Sequence, residues 1–335
     1  MPTHTMPSPA PTAPSGRSAT PAEAALRPLH EVAAALLDEH RRTLARDWPD
    51  AAGLLTRLTT ATGSPSSPRL QALRPFSRLD PVLAQHLPAI TALDAVAADQ
   101  VLKAFFAMRL LASPAPAPGI RLPESVAALY PRELSRILEA LRADSGRVDL
   151  GQDRWRKNLA ILEGRLIPVG AEFADVGAGL PRSLLLKGSW RQRLKTLACV
   201  LSGTRGFRPM FELHAHPDSL ADFHPDGWLA TYRRLAELLA CNPHYRGVMA
   251  ASWFRDPALV QISPRLRYLR EYPERHGALM LDVGRDMAGT SGALARSPTR
   301  RQLFAEGRYV PTIYLMIWPR PALLAWAKNE GGNLA

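Results

Sequence analysis

The stretch from 207 to 257 constrains the fold most strongly, because two short apolar runs in it enclose one capped helix. The runs at 210–214 and 247–254 have the length and composition of buried strands. Asp226 can begin the helix between them, and Asn242 with Pro243 ends it. A strand, a helix and a second strand in immediate succession predict a layered arrangement in which the helix covers a sheet.

The chain before this stretch has a different pattern. Between 20 and 145 apolar residues recur three and four positions apart, which is typical of helices packed through one face, and no strand pattern occurs. We predict helices at 20–46, 51–60, 80–87, 91–112 and 131–143. Thr20, Pro21 and Glu23 predict the start of the first helix. Residues 1–19, rich in Pro, Ser, Thr and Ala, predict a disordered tail.

The pattern changes near 145 toward short β-rich segments. We predict extended segments at 158–162, 165–169, 173–176, 183–187, 278–283 and 309–318, and helices at 190–200 and 321–328. Asp256-Pro257, Ser263-Pro264 and Ser297-Pro298 each combine a capping side chain with a proline suited to a first helical turn, so they predict further helix starts. The chain is therefore predicted to be an α+β protein, with a helical N-terminal domain at 20–145 and an α/β domain with a central sheet at 146–335.

Composition narrows the classes of function. The formal net charge is +12, but the basic residues are scattered over separate predicted elements without interleaved aromatics, so nucleic acid is not an expected partner. No apolar run reaches the ~18 residues that would span a membrane. Two cysteines cannot form a disulfide framework, and the N-terminus has no apolar signal segment, so a cytoplasmic location is expected.

The densest group of chemically active side chains follows the run at 210–214. If His214 and His216 lie on one strand, they point to the same face about 7 Å apart. Asp218 and His224 could complete a metal site with them, as a metal-dependent hydrolase or oxygenase requires. The same histidines could instead transfer protons without a metal, or serve only the structure.

The element order from about 150 onward resembles that of the GCN5-related N-acetyltransferases, in which strand, capped helix, strand, capped helix and strand follow one another. The segment at 297–309, SPTRRQLFAEGRY, is similar to the late helix of that family. The resemblance implies that acyl-CoA binds as a co-substrate where two neighbouring strands separate, and that a helix N-terminus meets its pyrophosphate. The Gln/Arg-x-x-Gly-x-Gly/Ala loop of the family is absent, since FHPDGW offers only Gly227.

The resemblance also implies roles for individual residues. His216 is expected to be the general base, with His214 as its helper and Tyr314 as a proton donor. The acyl acceptor would be an amine or a hydroxyl group of a small molecule or a protein. The residues expected to contact acyl-CoA lie at predicted helix starts and at a strand exit: Gly227, Trp228, Trp253 and Arg300.

A binding or assembly module without enzymatic activity is the remaining alternative, in which the helical domain docks a partner. The sequence contains no P-loop, no serine nucleophile elbow, no CxxC and no HExxH. Cys199 and Cys241 lack the neighbouring His and Asn pattern of a nucleophile. Asp256 is interpreted either as a helix cap or as a catalytic carboxylate.

Overall fold

The computed structural model describes residues 21–63, 75–113, 117, 119–143, 146–218, 220–295 and 297–330. The predicted tail at 1–19 and the predicted cap at Thr20 lie outside these residues. The helices of the N-terminal part are α1 (Pro21–Asp47), α2 (Pro49–Gly63), α3 (Pro81–Thr91), α4 (Ala95–Leu111), α5 (Glu124–Ala127), α6 (Tyr130–Arg142) and α7 (Asp153–Leu162). The helices predicted before 145 are confirmed, with ends that differ by a few residues.

Short acidic side chains set the starts of α3 and α4. Asp80 Oδ1 accepts a hydrogen bond from the N–H of Val82 at 2.8 Å, and Asp94 Oδ1 accepts one from the N–H of Val96 at 2.8 Å. Such caps satisfy backbone donors that have no partner inside the helix. α4 then runs through the centre of the helical part and packs against α1 and α2.

The segment at 158–162, predicted to be extended, is instead the second half of helix α7. Trp155, Leu159 and Leu162 recur on one face of this helix and are buried in the core of the helical part. The Trp155 ring packs edge-on against Phe106, with 5.6 Å between ring centroids. A short buried apolar run has the same composition in a strand and in a helix, and only the surrounding core decides between them.

The helical core does not end at the predicted boundary near 145. It includes Leu166 and Phe173, which belong to the first strands of the sheet. The helical part and the sheet therefore share one continuous packed region.

The second part of the chain contains the sheet. Its strands and helices are β1 (Leu166–Pro168), β2 (Phe173–Ala178), α8 (Trp190–Ala198), β3 (Met210–His214), α9 (Pro225–Cys241), β4 (Gly247–Ser252), α10 (Leu259–Ile262), α11 (Tyr268–Arg275), β5 (Leu279–Arg285), α12 (Gly292–Ala295), α13 (Pro298–Ala305), β6 (Thr312–Pro319) and α14 (Arg320–Glu330). Short 3-10 turns occur at Arg182–Leu185, Trp253–Arg255 and Pro264–Leu266, and a π turn at Cys199–Gly203 follows α8.

One β prediction in this part is wrong, and the helix starts are confirmed approximately. The segment at 183–187 contains a 3-10 turn and no strand, because only Leu184 of its leucines is buried. Ser297 Oγ accepts a hydrogen bond from the N–H of Arg300 at 3.3 Å at the start of α13. Asp256 Oδ1 accepts one from the N–H of Ala258 at 3.0 Å, just before α10.

Within the described residues the strands form one mixed six-stranded sheet in the order β1-β2-β3-β4-β6-β5. β3 and β4 are parallel and are connected by α9, whereas the other neighbouring pairs are antiparallel. The protein is therefore an α+β protein in which a helical N-terminal region precedes a mixed sheet.

The two faces of the sheet have different coverings. Phe211, Val248 and Trp318 point to the face covered by α9 and α14, which we call the α9 face. Met210 and Met249 point to the opposite face, which we call the α8 face because the apolar side chains before and after α8 pack there. No helix among the described residues is long and apolar enough to cross a membrane.

Candidate functional site

Strands β3 and β4 separate toward their carboxyl ends. Parallel pairing joins only Phe211 to Val248 and Glu212 to Met249, although both strands continue beyond these pairs. Past that point β3 remains paired with β2 and β4 remains paired with β6. A crevice at the carboxyl ends of neighbouring strands is where open α/β sheets bind ligands. The gap between β3 and β4 is therefore the first candidate for a functional site.

The α8 face of the sheet is open beside this gap. Glu212 and His214 alternate with buried residues along β3 and point to this face, with 26% and 22% of their side-chain surface exposed. Ala251 points to the same face and is exposed, although β4 lies in the interior of the sheet. An exposed alanine on an interior strand marks a place where a ligand can reach the sheet.

Burial tunes the two titratable groups at this opening. It raises the pKa of Glu212 to about 7, with a further contribution from the carboxylate of Asp175. It lowers the pKa of His214 to about 4, and the ammonium group of Lys157 acts in the same direction. The 3.8 Å contact between His214 Nε2 and Glu212 Oε2 therefore joins a neutral imidazole to a carboxyl group that is about half ionised near neutral pH.

The helical part supplies one wall of this opening. Lys157 of α7 donates a hydrogen bond from Nζ to the carbonyl of Ala215 at 2.6 Å, and its ammonium group lies over the ring of Phe76. Phe76 in turn packs against the ring of His214, with 4.5 Å between ring centroids. The end of β3 is thus held by residues that are distant in the sequence.

His216 has a different environment from His214. It lies beyond the end of β3, is 0% exposed, and has its Nε2 3.0 Å from Asn158 Oδ1. Its Nδ1 accepts a hydrogen bond from the N–H of Asp218 at 3.2 Å. Burial, together with the nearby charge of Arg136, lowers its pKa to about 3. Both ring nitrogens are occupied within the protein, so this arrangement does not favour the predicted role of His216 as general base.

Further polar contacts extend from His216 to α6 and α7. Arg136 donates a hydrogen bond from Nη2 to Asn158 Oδ1 at 2.9 Å, and Arg154 Nε lies 2.6 Å from Asp218 Oδ2. We call Arg136, Arg154, Asn158, His216 and Asp218 the Asn158 network. It ties two helices to the loop after β3 through hydrogen bonds and ion pairs, although Asn158 Nδ2 and Arg136 Nη1 are buried without a hydrogen-bond partner among the described residues.

The residues predicted to form a metal site do not converge. His214 contacts Glu212, His216 contacts Asn158, and Asp218 pairs with Arg154. His224 caps α9 by accepting a hydrogen bond from a backbone N–H at its Nδ1. In the part of the chain that the structure describes, no group of three or more His, Cys, Asp or Glu side chains is arranged to hold a metal ion. The metal-site alternative therefore has no support in the geometry.

A second buried polar cluster lies where β4 ends. Arg255 is 0% exposed, and none of its three guanidinium nitrogens has a hydrogen-bond partner among the described residues. Its Cζ lies 5.8 Å from the centre of the Trp228 ring. Trp228 Nε1, the Tyr232 hydroxyl group and Glu172 Oε2 are also buried without a partner in the described residues. We call Glu172, Trp228, Tyr232 and Arg255 the Arg255 cluster.

The charges in the Arg255 cluster are not neutralised by an ion pair between its described members. Burial raises the pKa of Glu172 to about 7, although the charges of Arg255 and Lys157 act to lower it. A buried charge without a partner destabilises a protein by several kcal/mol, about the amount lost when a buried pair is broken. Unsatisfied polar groups of this kind in native proteins call for a functional explanation or a bound polar group.

The start of α9 is occupied by its own cap. A Cβ atom on Gly227 would lie 2.1 Å from the carbonyl oxygen of Asp222, so the close approach of this loop requires glycine. The N–H of Gly227 donates to His224 Nδ1 and the N–H of Trp228 donates to the His224 carbonyl. The packing of the loop therefore accounts for Gly227, and Trp228 is buried in the core on the α9 face. Their contact with acyl-CoA stays a prediction.

Trp253 and Arg300 contact each other, and their contact with acyl-CoA stays a prediction. Arg300 Cζ lies 4.7 Å from the centre of the Trp253 ring. Arg300 also donates from Nε to the carbonyl of Ala293 at 2.5 Å and from Nη1 to Ser263 Oγ at 3.0 Å. The pair fastens α12 and α13 to the exit of β4, which explains both residues structurally.

Tyr314 lies on the opposite face of the sheet from His214. It pairs with Ser252 of β4 and alternates with Leu315, so that it shares the α9 face with Met316. Arg270 lies over its ring at 4.7 Å, and burial raises its pKa. The predicted acid Tyr314 and the predicted helper His214 are therefore separated by the sheet.

No role was predicted from the sequence for Glu212, Glu172 or Arg255. Glu212 could have been found, because it stands two residues before His214 and side chains two apart share one face of a strand. Glu172 and Arg255 carry no such signal, since the fold alone brings them near each other.

No family model, curated protein or solved structure matches this chain. The likeness to the N-acetyltransferases therefore remains a resemblance of element order. What the site can do has to be derived from its own geometry and chemistry.

Proposed function

We propose that the protein is an acyltransferase, which moves an acyl group from a CoA-type thioester to an amine or hydroxyl group of a small molecule or a protein. The observation that carries this proposal is the separation of β3 and β4 after two parallel pairs, beside Glu212 and the exposed Ala251. Backbone groups that face the gap lack a strand partner across it and are available to a ligand. The sheet order and the helix that joins the parallel pair are consistent with the resemblance to N-acetyltransferases.

Glu212 is the proposed general base. Its pKa of about 7 lets it accept a proton from the attacking amine or hydroxyl near neutral pH. The bond from the acceptor atom to the acyl carbon forms, the carbon–sulfur bond breaks, and the departing thiolate takes up a proton that Glu212 can return. The thioester donor supplies the activated acyl group, and no oxidant or reductant is required.

His214 is the proposed positioning residue for Glu212. Its imidazole is neutral at working pH, lies 3.8 Å from the carboxyl group and is held by the ring of Phe76. A neutral ring in this place limits the rotamers of Glu212 without adding a positive charge that would lower the pKa of the base.

The Arg255 cluster is the proposed contact for a polar part of a substrate. Arg255 follows the end of β4, and Trp228 and Tyr232 lie on the α9 face. The cluster offers guanidinium, indole and hydroxyl donors that lack partners in the described residues. Donors that are already desolvated and fixed bind an acceptor group more strongly than donors at the surface.

Thermal unfolding of the full-length protein tests donor binding. Acetyl-CoA and longer acyl-CoAs at about a hundred times the dissociation constant should stabilise the protein by roughly 2.7 kcal/mol, which raises the unfolding midpoint by a few degrees. Ala251→Trp should remove this shift, because the indole fills the gap, while the unliganded protein unfolds nearly as before since Ala251 is exposed. Ala325→Trp, at an exposed position on α14, is the matched control and should keep the shift.

The role of Glu212 is tested separately from donor binding. Glu212→Gln should keep the acyl-CoA shift and reduce kcat by about 10²- to 10⁴-fold. In the wild-type enzyme kcat should rise with pH through about 7, because the ionised carboxylate is the active form. A stable protein that binds no acyl-CoA would overturn the proposal and favour the binding module.

A further inference from the structure

The helix α8 exposes an apolar stripe to solvent. Trp190, Leu194, Leu197 and Leu201 follow one another at intervals of three and four residues along α8 and the π turn after it. Trp190 is 66% exposed and Leu201 is 68% exposed, and Leu186 just before the helix is 74% exposed. These five residues are half of the large apolar side chains that stand exposed among the described residues. We call them, with the basic residues around them, the α8 surface.

The opposite side of α8 faces the sheet. Gln192 donates a hydrogen bond from Nε2 to the carbonyl of Asp282 on β5 at 2.8 Å and accepts one from its N–H at Oε1. Thr196 is fully buried on the same side. The helix is thus fixed to the sheet through its polar side while its apolar side points outward, the reverse of an ordinary surface helix.

The chain around the stripe carries positive charge only. Between 176 and 211 there is no Asp or Glu. The exposed basic residues in this segment are Arg182, Lys187, Arg191, Arg193, Lys195, Arg205 and Arg208. An apolar stripe that contains Trp and Leu, bordered by Lys and Arg, is typical of helices that lie in the interface of an anionic bilayer.

Neither the same surface on a second copy nor the segment 1–20 complements the α8 surface in charge. A second copy docked through the same surface would bring its own seven cations against these seven. Residues 1–20 contain no Asp or Glu and offer no opposite charge either. An anionic partner of a different kind would supply the missing negative charge.

We propose that the α8 surface docks on an anionic lipid bilayer, with the stripe in the interface and the basic residues among the phosphate headgroups. The protein would then bind membranes peripherally, at the α8 face where Glu212 and Ala251 are exposed. This inference stands on exposure and charge and does not depend on the proposed acyl transfer.

Co-sedimentation of the full-length protein with lipid vesicles tests the proposal. Vesicles of phosphatidylcholine and phosphatidylglycerol should bind the protein, and vesicles of phosphatidylcholine alone should bind it far more weakly. Binding should weaken between 0.1 and 1 M salt, because the screening length falls from about 10 Å to about 3 Å. Tryptophan emission should shift to the blue on binding, and Trp190→Phe should reduce the shift.

Variants separate the apolar and the charged contributions. Arg191→Gln, Arg193→Gln and Lys195→Gln together should weaken binding by roughly a hundredfold, at about fivefold for each charge. Trp190→Ser with Leu194→Ser should also abolish most binding. Because these residues are exposed, thermal unfolding should be nearly unchanged. Arg41→Gln with Arg42→Gln on α1, and Met287→Ser, are matched controls that should bind like the wild type.

Three results would overturn the proposal. They are absence of binding to the anionic vesicles, binding that the α8 variants leave unchanged, and binding that is equal with and without phosphatidylglycerol. Self-association in solution that the Trp190→Ser and Leu194→Ser changes remove would assign the surface to a second copy instead.

Discussion

The Asn158 network and the Arg255 cluster are both buried groups of polar side chains beside the ends of the central parallel strands, yet they are built differently. In the Asn158 network a single amide oxygen accepts from His216 and from Arg136, and ion pairs surround it. In the Arg255 cluster a guanidinium group, an indole and a phenol have no partner among the described residues. The Asn158 network also has unpaired donors, such as Asn158 Nδ2, but its members bind one another, as expected of a structural device. No hydrogen bond or ion pair links the described members of the Arg255 cluster, and buried groups left unpaired in this way indicate a place that serves binding at the expense of stability.

The largest expected effect on the free energy of unfolding comes from a substitution in the Asn158 network. Asn158→Leu should lower the free energy of unfolding by about 4 kcal/mol, because it leaves buried donors of His216 and Arg136 without an acceptor. Urea unfolding measures this as a lower midpoint at unchanged slope. Gln152→Leu, at an exposed position just before α7, should change the free energy by less than about 0.5 kcal/mol. A loss below about 1 kcal/mol at Asn158 would show that the network is not structural.

The next effect concerns pH and the Arg255 cluster. The pKa of Glu172 is raised from 4.5 to about 7 in the folded protein, so the folded state holds its proton more tightly than the unfolded state. Its contribution to stability is therefore present below pH 4.5 and is lost as pH rises toward 7, by about 3 kcal/mol. Glu172→Gln should become progressively more stable than the wild type over this window.

Urea unfolding of both proteins at several pH values measures the difference. The comparison has to be made as a difference, because His214 and His216 have lowered pKa values and give the opposite slope in the wild type and in the variant. A difference that stays constant between pH 4.5 and 7 would contradict the raised pKa of Glu172.

A smaller effect separates stability from function. Arg255→Met removes a buried charge that has no partner in the described residues and keeps most of the side-chain volume, so we expect unfolding to require about 1 to 2 kcal/mol more. In the same variant, acyl-CoA should no longer raise the unfolding midpoint, or the acyl-transfer activity should be lost. If Arg255→Met instead lowers the free energy of unfolding by about 3 to 5 kcal/mol, as the loss of a buried ion pair does, the guanidinium has a structural partner. The Arg255 cluster would then be a structural group like the Asn158 network.

The smallest effect tests whether the clusters are independent. They share no hydrogen-bond partner in the described residues, so the effects of Asn158→Leu and Arg255→Met on unfolding should add within about 0.5 kcal/mol. A larger deviation in the double variant would mean that the loop after β3 transmits strain from one cluster to the other.

Much of the fold could be predicted from local patterns. The helical periodicity before 145 and the strand at Met210–His214 are properties of neighbouring residues, and the structure confirms them. The capping pairs also located helix starts, since a cap acts within a single turn. Segments 158–162 and 183–187 were wrong because their state depends on whether distant residues bury them.

The site was less predictable, because it is assembled across the fold. His214 and His216 look equivalent in the sequence, but the strand ends between them and only His216 meets Asn158 of α7. Tyr314 falls on the far face through the register of β6 against β4, which the sequence does not reveal. The unpaired state of Arg255 depends on which residues fail to reach it, and no local pattern records that.

The helical core is completed by residues that the ribosome makes after the helices. Leu166 of β1 and Phe173 of β2 belong to this core. A nascent chain in which only α1 to α7 have left the ribosome therefore still exposes the apolar side chains that these two residues cover. At roughly 5–20 residues per second, the segment between the end of α7 at Leu162 and Phe173 takes about 1 s to synthesise. During that time the core of the helical part lacks two of its apolar side chains. The first two strands then complete this core and also begin the sheet.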